Sequence, residues 1–153
     1  MKSTVATAET VYVDPSALRC LYVHETRSRA FCAWRDRHRG ALPITLFGRA
    51  ELENSVALAV FRHDLTVAAG QAAVADLDAD LTSGRLFVAD LLWRRALDRS
   101  VELSRKHTAT LGTRALDVLH VASALILGSK RFVTYDARQA RLARAAGLRV
   151  SAP

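Results

Sequence analysis

The chain has 153 residues, 50% of them hydrophobic, enough for a single domain with a sizeable core. Its 22 Lys and Arg against 15 Asp and Glu give a formal charge of +7, and Lys2, Lys106 and Lys130 are the only lysines. The arginine fork suits phosphate, so nucleic acid is admitted as a partner, although an Ala- and Arg-rich composition from a GC-rich genome would carry the same charge. No apolar run is long enough to span a bilayer, and the opening MKSTVATAET lacks the apolar stretch of a signal peptide. Cys20 and Cys32 form no CxxC pair. These features predict a cytoplasmic protein with no membrane contact, two ordinary thiols on helices, and neither a zinc ribbon nor a disulfide framework.

In chain order, a polar tail over 1–10 precedes one domain predicted over 11–153. VYV, then Asp14, Pro15 and Ser16, reads as a strand running into a helix, since Pro is at home at a first helical position. Helical spacing continues in two segments to Arg39-Gly40, with the charged Glu25, Arg27 and Arg29 between them. LPITLF follows as a short buried strand and GRAELENSVALAVF as a helix. A helix from about Val67 to Leu81 is stopped by Ser83-Gly84, before the strand RLFVADL and helical spacing from Trp93 to His107. TRALDVLHVASALIL is a helix closed by Gly128, RFVTYD a strand, ARQARLARAAGL a helix closed by Gly147, and LRV a last strand. Strands alternating with helices predict an α/β sandwich around a mainly parallel sheet.

In such a sheet ligands gather beyond the carboxyl ends of the strands, where Asp14 and Asp136 would lie, although each also suits a helix N-cap. Asp117 stands on a nearly all-apolar helix, so its charge must be paired, hydrogen-bonded or metal-bound; Arg114, three residues earlier, is the competing partner. Glu51 and Glu53 fall in the first turns of the third helix, and Glu51, following a strand, can point along the sheet's edge. Asp14, Glu51, Asp117 and Asp136 are therefore expected to converge. Like charges held together call for a hard cation, Mg2+ or Mn2+, which takes carboxylate oxygens and activates water against phosphate.

Other patterns carry less. Asp76, Asp78 and Asp80 open like a calcium loop but lack its Gly and Glu, and are expected on a solvated helix face. GxSxG, GxxxxGK, GxGxxG and HExxH do not occur, and a phosphotransferase using Asp14 lacks its second Asp. His120 reads as a hydrogen-bonded core residue. Asp90 ends a strand but is followed by packing residues. TRSRAFCAWRDRHRG reads either as an RNA-facing patch or as an amphipathic helix burying Phe31 and Trp34 with its arginines in water.

VYVDPSAL, RAEL, LGTRALDVLHVASAL and RFVTYDARQARLARAAGL together resemble the PIN-domain ribonucleases of the VapC toxin type, in the family's order and over nearly the whole chain. The resemblance implies a three-layer α/β/α sandwich and an acidic metal site on Asp14, Glu51, Asp117 and Asp136. It also implies Mg2+- or Mn2+-dependent cleavage of RNA, a homodimer, and inhibition by the cognate antitoxin of a type II toxin–antitoxin system. Ser16 and Thr134 match hydroxyl residues that support the acids, and Arg114 is expected to pair with Asp117 or to reach substrate. Two features depart from the family: Pro15 stands where a hydroxyl residue commonly follows the first Asp, and about ten residues precede the first strand. A non-catalytic RNA-binding or protein-interaction module is the alternative.

Overall fold

The computed structural model describes residues 9–153; most of the tail expected over 1–10 lies outside the described residues. Glu9 and Thr10 are tied to the domain: Thr10 O accepts from Lys130 N at 2.9 Å, and Glu9 pairs with Arg131 at 3.1 Å.

Five short strands, β1 (Val11–Val13), β2 (Leu42–Ile44), β3 (Leu86–Val88), β4 (Arg131–Val133) and β5 (Arg149–Ser151), make only parallel pairings. β1, β4 and β5 form one ladder and β2 and β3 another, with β2 lying beside β1, so the spatial order is β3–β2–β1–β4–β5. From β1 the chain first builds outward to β3, then crosses to the other side of β1. A reversal of this kind opens a crevice at the carboxyl ends of β1 and β4.

The helices are α1 (Pro15–Leu18), α2 (Ser28–Arg37), α3 (Leu46–Phe61), α4 (Val67–Thr82), α5 (Trp93–Leu103), α6 (Ala109–Leu111), α7 (Ala115–Ile126) and α8 (Ala137–Ala145). A 3₁₀ turn over Arg19–Leu21 extends α1, and a π-helical turn over Ser104–Thr108 joins α5 to α6. Alternation along the strands splits the interior into two cores. Val11, Val13 and Val133 pack with Leu18, Phe31, Leu52 and Leu77 on the α1–α4 side, whereas Tyr12 and Phe132 pack with Val118, Val121 and Leu142 on the α5–α8 side. That makes three layers, with the central strands β1 and β4 buried on both faces as parallel strands are, while the edge strands β3 and β5 stay partly exposed. Tyr12 and Phe132 stack at 5.4 Å between centroids, and full burial of an aromatic this size contributes about 1.5–3 kcal/mol.

Two glycines set the geometry near the site. A Cβ at Gly48 would stand 2.9 Å from Thr45 Oγ1 and 3.2 Å from Pro15 Cγ, so only glycine lets α3 start this close to α1. Gly112, at φ 64°, stops α6 in a left-handed conformation and releases Thr113 and Arg114 as extended chain before α7.

Several expected boundaries shift. LPITLF divides into β2 and the start of α3, because Thr45 caps the helix by accepting from Gly48 N at 3.0 Å; Glu51 thus sits in the second turn of α3 rather than directly after a strand. RLFVADL keeps only Leu86–Val88 as strand, which leaves Asp90 in the following loop. RFVTYD ends as strand at Val133, so Asp136 lies three residues beyond β4 while Asp14 follows β1 directly. Cys20 is buried in the 3₁₀ turn rather than on a helix proper, and Cys32 is exposed on α2. Arg35 of α2 is not in water: it is 4% exposed and donates to the carbonyls of Gly40 and Arg85, while Phe31 is fully buried as expected. Among the described residues no helix is long and apolar enough to cross a membrane.

Candidate active site

Asp14 and Asp136 each cap the helix that follows. Asp14 Oδ2 accepts from Ser16 N at 3.2 Å and from the Ser16 hydroxyl, and Asp136 Oδ1 accepts from Arg138 N at 2.8 Å and Gln139 N at 3.0 Å. Capping and position at the carboxyl edge are thus compatible, because the cap is what turns each carboxylate over the strand ends. Ser16 supplies, two residues after Asp14, the hydroxyl that Pro15 cannot.

Asp14 is 6% exposed. Its second oxygen, Oδ1, accepts from Gln139 Nε2 at 3.1 Å. Gln139 is oriented in turn by Thr134, whose hydroxyl accepts from Asp136 N at 3.1 Å and donates to Gln139 Oε1 at 2.6 Å. One directed chain therefore runs from the Asp136 amide through Thr134 and Gln139 to Asp14. Burial pushes the Asp14 carboxyl above the usual carboxylate range; His120 and the bonds from Ser16 and Gln139 pull it back, and Glu51 adds to the rise.

Asp117 is the third residue of α7, not a mid-helix charge, and its Oδ2 reaches back toward Arg114 N at 3.4 Å. A carboxylate in a first turn is favoured by the exposed amides and the helix dipole. Arg114 then settles the partner: its Nε stands 3.0 Å from Asp117 Oδ2 and its Nη2 3.6 Å from Asp136 Oδ2, with the arginine side chain 68% exposed. One guanidinium joins two of the acids.

Glu51 is held differently. Its Oε2 lies 2.6 Å from His120 Nε2, and His120 Nδ1 lies 2.8 Å from Tyr12 Oη. Burial raises the Tyr12 pKa, so the phenol keeps its proton, and the two bonds hold the imidazole between Tyr12 and Glu51. His120 is 1% exposed and stacks on Phe47 at 4.5 Å, the hydrogen-bonded core residue expected from sequence. Glu53 binds Arg49 at 2.7 Å instead, away from the other acids. Asp78 pairs with Arg49, and Asp80 with Arg85 and the Tyr22 hydroxyl, so Asp76–Asp80 form no calcium loop.

The four acids thus lie in two linked sets, Asp14 with Asp136 and Asp117, and Glu51 through His120 to β1. Among the described residues no group of three or more His, Cys, Asp or Glu stands close enough to hold a metal ion. The donors fit a hard divalent cation in kind, all being carboxylate oxygens, and between Asp117 and Asp136 the Arg114 guanidinium provides the positive charge. Gln139 and Tyr12 are the site residues that sequence reading did not single out. Gln139 did leave a signal: it shares a helix face with Leu142 and Ala143, where a polar residue needs a partner.

No protein-family model matches the chain, and no curated protein matches it. Among solved structures, the crystal structure of FitAcB from Neisseria gonorrhoeae is similar, with a TM-score of 0.61, 20% identity, and coverage of 94% of this chain and 98% of that one. The fold is that of a PIN domain. At that identity the likeness speaks for the fold, and it agrees with the α/β/α layering expected from sequence.

Proposed function

We propose that this PIN-fold protein is a metal-dependent endoribonuclease toxin held in check by a cognate antitoxin. The observation that carries the reading is the gathering of Asp14, Asp136 and Asp117 at the carboxyl edge of adjacent β1 and β4, on a fold whose crevice lies there. Mg2+ or Mn2+ would be held by Asp14, Glu51, Asp117 and Asp136, and when bound would supply the charge and the activated water that phosphodiester hydrolysis needs. The chain's own residues set the stage. Ser16 and Gln139 fix both oxygens of Asp14, Thr134 fixes Gln139, and His120 holds Glu51. Arg114, at the exposed rim, is positioned to meet a phosphate once it leaves the acids.

Two partners follow. Leu97 and Val101 on α5, with Leu92, Leu116 and Leu46 nearby, expose apolar side chains that suit a homodimer interface. An antitoxin is implied by the sequence resemblance, and such a toxin would act on RNA in the cytoplasm. The test is digestion of total RNA with and without Mg2+ by antitoxin-free protein and by Asp117→Asn. Loss of Mg2+-dependent products in the variant is expected; equal cleavage by both would sink the assignment. RNA binding that weakens with salt, without any Mg2+-dependent product, would identify the non-catalytic module instead, a reading favoured by the lack of a three-ligand group among the described residues.

A further inference from the structure

Beside the acids, between the chain following the 3₁₀ turn and the loop following β4, lies a cavity of about 340 Å³ lined by Ser16, Cys20, Glu25, Thr26, Arg27 and Tyr135. Its size is within the range of small-molecule sites. It adjoins the site through two residues: Ser16, whose hydroxyl donates to Asp14, and Tyr135, the neighbour of Asp136 in the chain.

The wall has an unusual charge pattern. Glu25 is paired with Arg19, so its negative charge is already met. The Arg27 guanidinium lies 4.4 Å from the centroid of the Tyr135 ring, and among the described residues it forms no ion pair. Tyr135 is steadied by an edge contact with Phe31 at 6.4 Å. Its hydroxyl oxygen is buried against the protein and has no hydrogen-bond partner among the described residues, so the ring rather than the hydroxyl is what Tyr135 presents to the cavity. The Cys20 thiol, pushed up to about 11 mainly by burial, is a neutral wall. Ser16 and Thr26 are exposed and add hydroxyls at the mouth.

A flat cation backed by an aromatic ring, with two hydroxyls at the mouth, suits a planar heteroaromatic ring attached to a phosphate. Arginine planes and aromatic rings are the platforms on which single-stranded bases stack. We propose that this cavity is a base subsite for a nucleotide flanking the cleaved phosphate, with Arg27, backed by the Tyr135 ring, as its stacking platform and the Ser16 and Thr26 hydroxyls at its mouth. The proposal rests on the RNA-cleaving reading above and adds the residues that hold a base beside the cut.

The experiment measures binding of short single-stranded A, C, G and U oligonucleotides in EDTA, by fluorescence anisotropy, for wild type, Arg27→Ala, Arg27→Lys and Tyr135→Phe. Arg27 is exposed, so its variants keep the fold, and a thermal melt verifies this. Arg27→Ala is expected to weaken binding about tenfold, the worth of one stacked base, and Arg27→Lys to recover little because it restores charge without the plane. Tyr135→Phe, which keeps the ring behind Arg27, is expected to bind as wild type does. Unchanged binding in Arg27→Ala, full recovery in Arg27→Lys, or no wild-type binding overturns the subsite. The parent reading fails separately: it falls if wild type with Mg2+ leaves RNA intact, whereas RNA cut with Mg2+ but bound equally well by wild type and Arg27→Ala in EDTA overturns the subsite alone.

Discussion

The two sides of the acidic edge are built on different principles. On one side Asp14 is 6% exposed and is held by neutral donors, the Ser16 amide and hydroxyl and the Gln139 amide. On the other, Asp117 and Asp136 share the guanidinium of Arg114, whose side chain is 68% exposed. Burying an ion pair removes two charges from water at a cost of several kcal/mol, so the interior side relies on oriented dipoles and keeps its geometry fixed. At the rim, water screens the charges, and a flexible arginine can let go. Rigidity on the inside and exchangeability on the outside are what the proposed site, admitting a cation and a phosphate, would require.

The largest effect is expected on the buried side. Gln139→Ala removes the bonds to Thr134 and Asp14 and leaves a cavity at a residue 1% exposed, so chemical denaturation should report a loss of about 2–4 kcal/mol. A loss below about 0.5 kcal/mol would mean that the Thr134–Gln139–Asp14 chain does not fix the site. The next effect concerns pH. The folded state raises the Asp14 pKa and so binds that proton more tightly than the unfolded chain does. This contribution is fully present below the unfolded carboxylate value and is lost as pH rises through the folded one. Melting in the presence of chelator should therefore show Asp14→Asn gaining on wild type as pH rises above about 4; a constant difference over that rise would break the comparison from the buried side. The smallest stability effect is expected at the rim, where Arg114→Ala should change stability by less than about 1 kcal/mol. Calorimetric titration with Mn2+ sharpens the point: removing the guanidinium should tighten Mn2+ binding, and weaker binding would show that Arg114 supports a cation site rather than filling it.

The acids were legible one at a time because their local settings are informative. Asp14 follows a buried β-branched run and precedes Pro15, Asp136 follows RFVTY, and Asp117 lies three residues after Arg114, so strand ends, caps and the i,i+3 pair could be read from neighbours. The strands themselves were read too long at LPITLF and RLFVADL, because apolar residues at a helix start or in a packed loop look the same as strand residues until the hydrogen bonds are known. Arg35 was read as solvated for a similar reason: nothing in its helix foretells carbonyls from Gly40 and Arg85 arriving at its guanidinium.

By itself the sequence determined the alternation of strands and helices, the two-faced burial of VYV and RFV, and which carboxylates stand where a parallel sheet gathers ligands. Those depend on interactions within a few residues, set by period, caps and turn chemistry. Tertiary structure alone decided how the carboxylates are held. The Tyr12–His120, Glu51–His120 and Asp14–Gln139 bonds join residues 108, 69 and 125 positions apart, and the second arm of Arg114 reaches from the start of α7 to Asp136 at the start of α8. Such partners meet only when the chain crosses from β3 to β4 and closes the sheet around β1, and no local preference records that meeting.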